Sequence, residues 1–216
     1  MGTIDLVFTG TDNNGAPFFT RAQLGARGGG ARGDRDGADS GGVVHSTNQS
    51  IANIETMERR NPILYMYHRY RQDSGGAGKY RGGNSTEVAF KLHGTRESQA
   101  IIWYLDRDVP NPGLNGGEPG ATAQTWLKRE TDINSILKTE IPDFEEVNAG
   151  GGPELLPCQN PPMVITDRDV FLLQEPAGGG FGDPSDRDEM QVSHDLEEGH
   201  ISQKKAIEIY KRIPLK

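Results

Sequence analysis

Residues 3–9, TIDLVFT, alternate apolar and polar side chains, the period of a strand with one buried face. The turn TDNNG follows. Its Asn14-Gly15 pair is the dipeptide that tolerates the positive φ angles of a tight hairpin, so APFFTRAQL reads as the return strand. Residues 50–60 have weak helical spacing. PILYMYHRYRQ (62–72), STEVAFKLHG and SQAIIWYLDRD read as three further strands at antiparallel spacing, and PPMVITDRDVFLLQEP holds two short ones. Near the C-terminus, Ser185 or Asp186 is expected to cap a helix running to about Glu198, with Val192 and Leu196 on one face and Gly199 ending it. Ser202 caps a second helix, with Ala206, Ile209 and Tyr210 at i, i+3 and i+4. The pattern predicts an α+β fold, mostly antiparallel β with long Gly-rich loops and a C-terminal helical pair. Residues 1–184 form the β-rich domain, and 185–216 a helical segment packed on the same unit.

Several stretches have no period. Residues 25–42, GARGGGARGDRDGADSGG, form a long glycine-rich loop; 73–83 is a tight turn region; VPNPGLNGGEPGATAQTWL is an excursion punctuated by proline and glycine; 131–157 is irregular and acidic. A loop as long as 25–42 in a compact domain is functional or bound by a partner. It has few apolar side chains to offset an ordering cost of roughly 1–2 kcal/mol per residue. Contact with another subunit is therefore expected to order it.

Composition narrows the classes. Only 33% of the 216 residues are hydrophobic, which fits a modest core diluted by loops or a surface covered by a partner. The formal charge is -8 and the basic residues are interspersed with acids, so nucleic acid is not an expected partner. No apolar run approaches the ~18 residues of a membrane span. Met1 to Gly10 has neither a basic nor an apolar export region, and the one cysteine, Cys158, excludes an internal disulfide; a cytoplasmic location is expected. Cys158 has no basic neighbour to activate it.

Candidate chemistry is sparse. The Walker pattern is absent, and Asp34, Asp36 and Asp39 would repel a phosphate in the glycine loop. The same aspartates lack calcium-loop spacing. None of the five histidines, His45, His68, His93, His194 and His200, has metal-ligand spacing, so no metal is expected on this chain. His68 reads as packed in its strand, and His194 and His200 as exposed. The acidic runs 140–146 and 195–198 read as solvated faces. His45, Thr47 and Asn48, just after the flexible loop, are the one polar cluster placed to face a substrate; no catalytic role is assigned.

Four segments carry a resemblance. GARGGGARGDRDGADSGGVVHSTN is similar to the glycine-rich stretch of the hydantoinase B / acetone carboxylase α-subunit family, which ends in a like His/Thr/Asn cluster. NPILYMYHRYRQDSGGAGKYRGG resembles its aromatic strand and signature turn, here Asp73, Ser74, Gly75, Gly76, Gly78, Lys79, Tyr80, Arg81, Gly82 and Gly83. PNPGLNGGEPG is similar to a third family segment. GGGFGDPSDRD, with Gly178, Gly179, Gly180, Gly182, Asp183 and Pro184, resembles the C-terminal signature. Physically, Asp73 is expected to cap its own turn, Arg81 to pin that turn by pairing with an acid, and Gly178 to Gly182 to permit a sharp reversal.

The resemblance implies a small subunit of a heteromeric ATP-dependent ketone carboxylase, of the acetone or acetophenone type, contributing active-site wall and subunit contacts. The alternatives are a subunit of an N-methylhydantoinase- or oxoprolinase-type cyclic amide hydrolase, or a purely structural subunit. Family members are much longer, and their metal-binding His and Asp residues belong to a part with no counterpart here, so the chain is expected to be one half of a split subunit, inactive alone. Its implied partners are a larger hydantoinase B-like subunit and an ATP-binding hydantoinase A-like subunit. ATP, Mg and a catalytic metal are expected on those partners. Phe8, Phe18 and Phe19 of the first hairpin are expected to pack into a core shared with the larger one.

Overall fold

The computed structural model describes residues 4–22, 24–42 and 53–212. Its strands form two antiparallel sheets. Strands β1 (Asp5–Thr11), β2 (Pro17–Ala22), β5 (Glu97–Trp103) and β8 (Met163–Thr166) make the first, in the order β2-β1-β5-β8. Strands β3 (Ile63–Tyr70), β4 (Thr86–Leu92), β6 (Gln124–Lys128), β7 (Glu154–Leu155) and β9 (Val170–Gln174) make the second, in the order β3-β4-β9-β6-β7. The hairpin β1–β2 forms as its alternation predicts, with Phe8 opposite Thr20 and Gly10 opposite Phe18. Gly15 supplies a φ of +85° at the turn. Asp12 Oδ1 accepts from the backbone N–H of Asn14 and of Ala16, both at 2.8 Å.

One core fills the space between the sheets. Leu6, Phe8 and Ile102 enter it from the first sheet, and Val88, Phe90 and Phe171 from the second. Phe8 meets Phe90 edge-on at 5.9 Å, and Phe90 stacks on Phe171 at 5.1 Å, both arrangements that aromatic rings favour. Phe8 is thus fully buried in the chain's own core, and Phe18 packs against it. For Phe8 the expectation of a shared core fails, because Phe90 of the second sheet already covers it; Phe18 is partly buried. Phe19 is 74% exposed.

The second sheet is covered on its other face too. Ala89, Val170 and Leu172 point away from the main core onto Ile133, Phe144 and Val147. Those three come from residues 131–147, which fold as α2 (Ile133–Ile136) and a 3-10 turn at Phe144–Glu146. Lys128 Nζ fastens this cover by donating to the carbonyls of Phe144 and Val147 at 2.7 and 2.8 Å. Strand β6 lies inside what reads as an excursion; its pairing with β9 and β7 makes it a strand.

Helix α1 (Ile54–Arg60) starts at Asn53, whose side chain accepts from the Thr56 N–H. Helices α3 (Glu189–Glu197) and α4 (Gln203–Glu208) form the expected C-terminal pair, and Ser202 caps α4 by accepting from the Lys205 N–H. Asp188, not Ser185 or Asp186, caps α3. Asp183 and Pro184 begin a separate 3-10 turn, Pro184–Asp186, because proline's fixed φ suits a first helical position. Arg187 then leaves helical geometry, at φ -66° and ψ 133°, before α3 begins. No helix among the described residues is long and apolar enough to cross a membrane.

Candidate functional site

The glycine-rich stretches, scattered over the sequence, meet beside the sandwich and pack backbone on backbone. Gly83 N–H donates to Gly29 O at 2.8 Å, Gly178 N–H to Gly83 O at 3.1 Å, and Gly76 N–H to Gly178 O at 2.8 Å. Ala31 N–H reaches Gly179 O, and Gly180 N–H reaches Glu118 O, both at 2.9 Å. The approach is too close for any side chain. A Cβ on Gly28 would lie 1.8 Å from Gly83 O, one on Gly178 1.8 Å from Gly29 O, and one on Gly82 2.0 Å from Gly178 O. Glycine is required here for proximity. Of the signature glycines between 178 and 182, only Gly182 has a positive φ, so the expected sharp reversal is instead a packed layer.

The glycine loop, expected to be ordered by another subunit, is held in this structure by backbone hydrogen bonds to its own chain. Buried peptide groups do the work: each satisfied backbone hydrogen bond contributes roughly 0.5–1.5 kcal/mol and avoids a larger desolvation cost.

A buried ion network closes the layer onto the helices. Arg81 is 3% exposed, Arg187 1% and Asp195 3%. Arg81 grips Asp39 with two bonds, Nη1 to Oδ1 at 2.9 Å and Nη2 to Oδ2 at 3.1 Å, and its Nε reaches Asp195 Oδ1 at 3.3 Å. Arg187 grips Asp36 in the same manner and donates from Nε and Nη2 to Asp195 Oδ2 at 3.1 and 2.8 Å. Burial alone would raise the carboxyls of Asp36 and Asp39. Hydrogen bonds and charge from Arg187 and Arg81 outweigh it and hold both below the usual range. Burial opposes the charge on both arginines, and their acid partners push them up regardless. Asp36, Asp39, Arg81 and Arg187 are therefore charged at neutral pH. Asp195 belongs to a run that reads as solvated; the available signal was its place three residues after Val192, on the apolar face of α3.

The signature turn latches α4. Asp73 sits at φ +62°, and its Oδ1 accepts from the Ser202 N–H at 2.8 Å. It thus serves the cap of α4 and not its own turn as expected. Ser74 Oγ donates to Arg71 O at 2.6 Å, and Gly75 N–H donates to Asn84 Oδ1 at 2.8 Å. Lys205 Nζ reaches back to the carbonyls of Asp73 and Gly75 at 2.9 and 2.8 Å. His200, read as exposed, is half-buried; its carbonyl accepts from Asn84 Nδ2, and its Nε2 lies 3.7 Å from Asp39 Oδ2. Asp183 stays at the surface, where its carboxylate accepts from the N–H and hydroxyl of Ser185.

Two further positions bear on chemistry. His45, Thr47 and Asn48 lie outside the described residues. Glu175, which no motif or spacing singles out, is fully buried. Desolvation pushes its carboxyl up to about 8; Ile4 N–H donates to Oε1 at 3.4 Å, and Oε2 has no partner among the described residues.

Among the described residues no group of three or more His, Cys, Asp or Glu is arranged to hold a metal ion. Asp36, Asp39 and Asp195 spend their oxygens on guanidinium donors. The layer's amides, those of Gly29, Gly76, Gly82, Gly83 and Gly178 among them, donate to neighbouring carbonyls and cannot also cradle a phosphate.

A family model described as Hydantoinase B/oxoprolinase matches residues 2–184, nearly the whole of both sheets and the glycine layer. The chain belongs to this family. The acetone carboxylase alpha subunit of Xanthobacter autotrophicus is 26% identical over 198 residues, which cover 86% of this chain and 26% of that protein. The chain thus spans about a quarter of that relative's length. Among solved structures, nucleotide-free acetone carboxylase superposes with a TM-score of 0.82 at 22% identity, over 96% of this chain and 29% of that one. The ATP-dependent caprolactamase of Pseudomonas jessenii superposes at 0.76 and 21% identity, over 97% and 34%. These two share the hydantoinase B fold seen here.

Proposed function

We propose that this chain is one part of a composite hydantoinase B-like unit in an ATP-dependent ketone carboxylase of the acetone or acetophenone type. Its task is to supply active-site wall and subunit contacts. The observation that carries this reading is the convergence of all four signature segments on one rigid layer whose arginines and aspartates are mutually paired. Such a layer positions neighbouring chain, and among the described residues its Arg81, Arg187, Asp36, Asp39 and Asp195 are taken up by one another.

ATP, Mg and the catalytic metal belong, in this reading, to a larger hydantoinase B-like subunit and an ATP-binding hydantoinase A-like subunit. Phosphorylating a carbonyl oxygen makes a stable ketone reactive, and the unit described here would help enclose the second half-reaction. Similarity to the acetone carboxylase alpha subunit supports this branch. The likeness to a caprolactamase supports a second reading, hydrolysis of a cyclic amide driven by the same ATP chemistry.

The complex purified with its natural partners separates the two. It should consume ATP with bicarbonate and a small or aromatic ketone, with carboxylate product formed. ATP-dependent ring opening of hydantoins or lactams, with no carboxylation, would favour the second reading. Neither activity in an intact complex would leave a purely structural role.

A further inference from the structure

We propose that the outer edge of β2 receives a strand from the larger hydantoinase B-like polypeptide, extending the four-stranded sheet across the subunit boundary. This rests on the composite reading above.

The described edge strands differ in how they are guarded. The outer edge of β8 is blocked where Arg129 Nη1 donates to Val164 O at 3.2 Å. On β3, Glu58 Oε1 accepts from the Tyr65 N–H at 2.8 Å, and the pairing register shifts between Tyr65 and Tyr67. Strand β7 has only two residues. Strand β2 has six and pairs with β1 alone. Among the described residues the one side chain bonded to its backbone is Thr9, from its own hairpin, at 3.2 Å to Phe18 O. Pro17 removes one donor at the turn end; from Phe18 to Ala22 the pairing with β1 runs without a register shift, and an open edge of this kind is what soluble proteins avoid unless something pairs with it.

The side chains agree. Phe19 stands opposite Thr9 on the sheet's outer face, between Pro17 and Arg21, and is 74% exposed. Phe18, on the other face, is taken up by the core. An added strand would satisfy the free peptide groups of β2 and set an apolar side chain against Phe19, the combination that drives strand addition. The occupant follows from length. About three quarters of the acetone carboxylase alpha subunit lies outside its match with this chain, so a composite unit holds a large body of polypeptide that must meet this one.

The test uses the whole chain, free and in its copurified complex. The partner is identified by mass spectrometry as a hydantoinase B-like polypeptide. Hydrogen exchange of Phe18 to Ala22 should slow at every second amide on complex formation, since alternate groups point outward in an antiparallel strand. Phe19→Lys should weaken the complex about tenfold or more, as losing a buried aromatic anchor does, with unchanged folding by circular dichroism. A complex with unaltered β2 exchange and full affinity for Phe19→Lys overturns the edge while sparing the composite reading. A free chain that pairs with a second copy through β2 overturns it as well. A folded chain that binds no hydantoinase B-like polypeptide defeats both.

Discussion

Arg187 and Asp36, 151 residues apart in the chain, meet fork to fork, with Nη1 on Oδ1 at 2.8 Å and Nη2 on Oδ2 at 2.7 Å. The same guanidinium also holds Asp195. One side chain therefore joins the glycine loop to α3. Removing it leaves carboxylates in a poorly hydrated place without a counter-charge. Arg187→Met should cost about 3–5 kcal/mol, the usual loss when one partner of a buried pair is deleted. Arg187→Lys should recover only part of this, because an ammonium cannot make paired bonds to both acids. Urea denaturation of the three proteins checks the order.

The glycine layer predicts a contrast between neighbours in sequence type. Gly178→Ala would press a methyl group to 1.8 Å from Gly29 O, and backbone cannot yield as a flexible side chain does. A loss of at least about 1–3 kcal/mol is expected, as in overpacked cores. Gly30→Ala meets nothing within 4 Å and should stay within about 0.5 kcal/mol of the parent. Melting temperatures distinguish them directly.

Glu175 gives a pH dependence of defined direction. Its ordinary value is 4.5, and in the folded chain it keeps its proton up to about 8. Below 4.5 both states are protonated and nothing is lost. From there to about 8 the unfolded chain releases the proton and the folded chain does not, so stability falls as pH rises, by up to ~1.4 kcal/mol per pH unit. Above 8 the loss is complete. Asp36 and Asp39, held low, act oppositely: their contribution is present above the ordinary carboxylate range and is lost as acid protonates them. Glu175→Gln should flatten the neutral limb of a plot of urea midpoint against pH and leave the acid limb in place.

The purified chain, given ATP, bicarbonate and ketones or hydantoins, should release no ADP and form no product. Asp36, Asp39 and Asp195 are committed to Arg81 and Arg187, which motivates the expectation. Turnover by the chain alone, free of contaminating partner, would refute it.

The sequence announced the elements that satisfy themselves locally. Asn14-Gly15 and its flanking alternation defined the first hairpin, and Ser202 with Ala206 and Tyr210 defined α4. What stayed hidden depends on distant partners. QTWLK becomes β6 only through β9 and β7, and in sequence its proline- and glycine-rich surroundings mask it. The glycine loop offers few apolar side chains, while its order comes from peptide groups supplied by residues 81–86 and by Pro176 and Gly179. Asp195 reads with its acidic neighbours because its cations, Arg81 and Arg187, lie on other segments. Of the candidate site, Arg81 and an acid partner were legible; which acids, and the burial of Glu175, were matters of tertiary contact.

The contact of Gly178 with Gly29 has a genetic corollary. An enlarged side chain in an ordinary core can be compensated by shrinking the residue it strikes. Here the atom struck is a main-chain oxygen, and the residue that bears it is already the smallest one. A selection for second-site suppressors of Gly178→Ala should therefore return true revertants and global stabilisers elsewhere in the protein, and no local partner substitution.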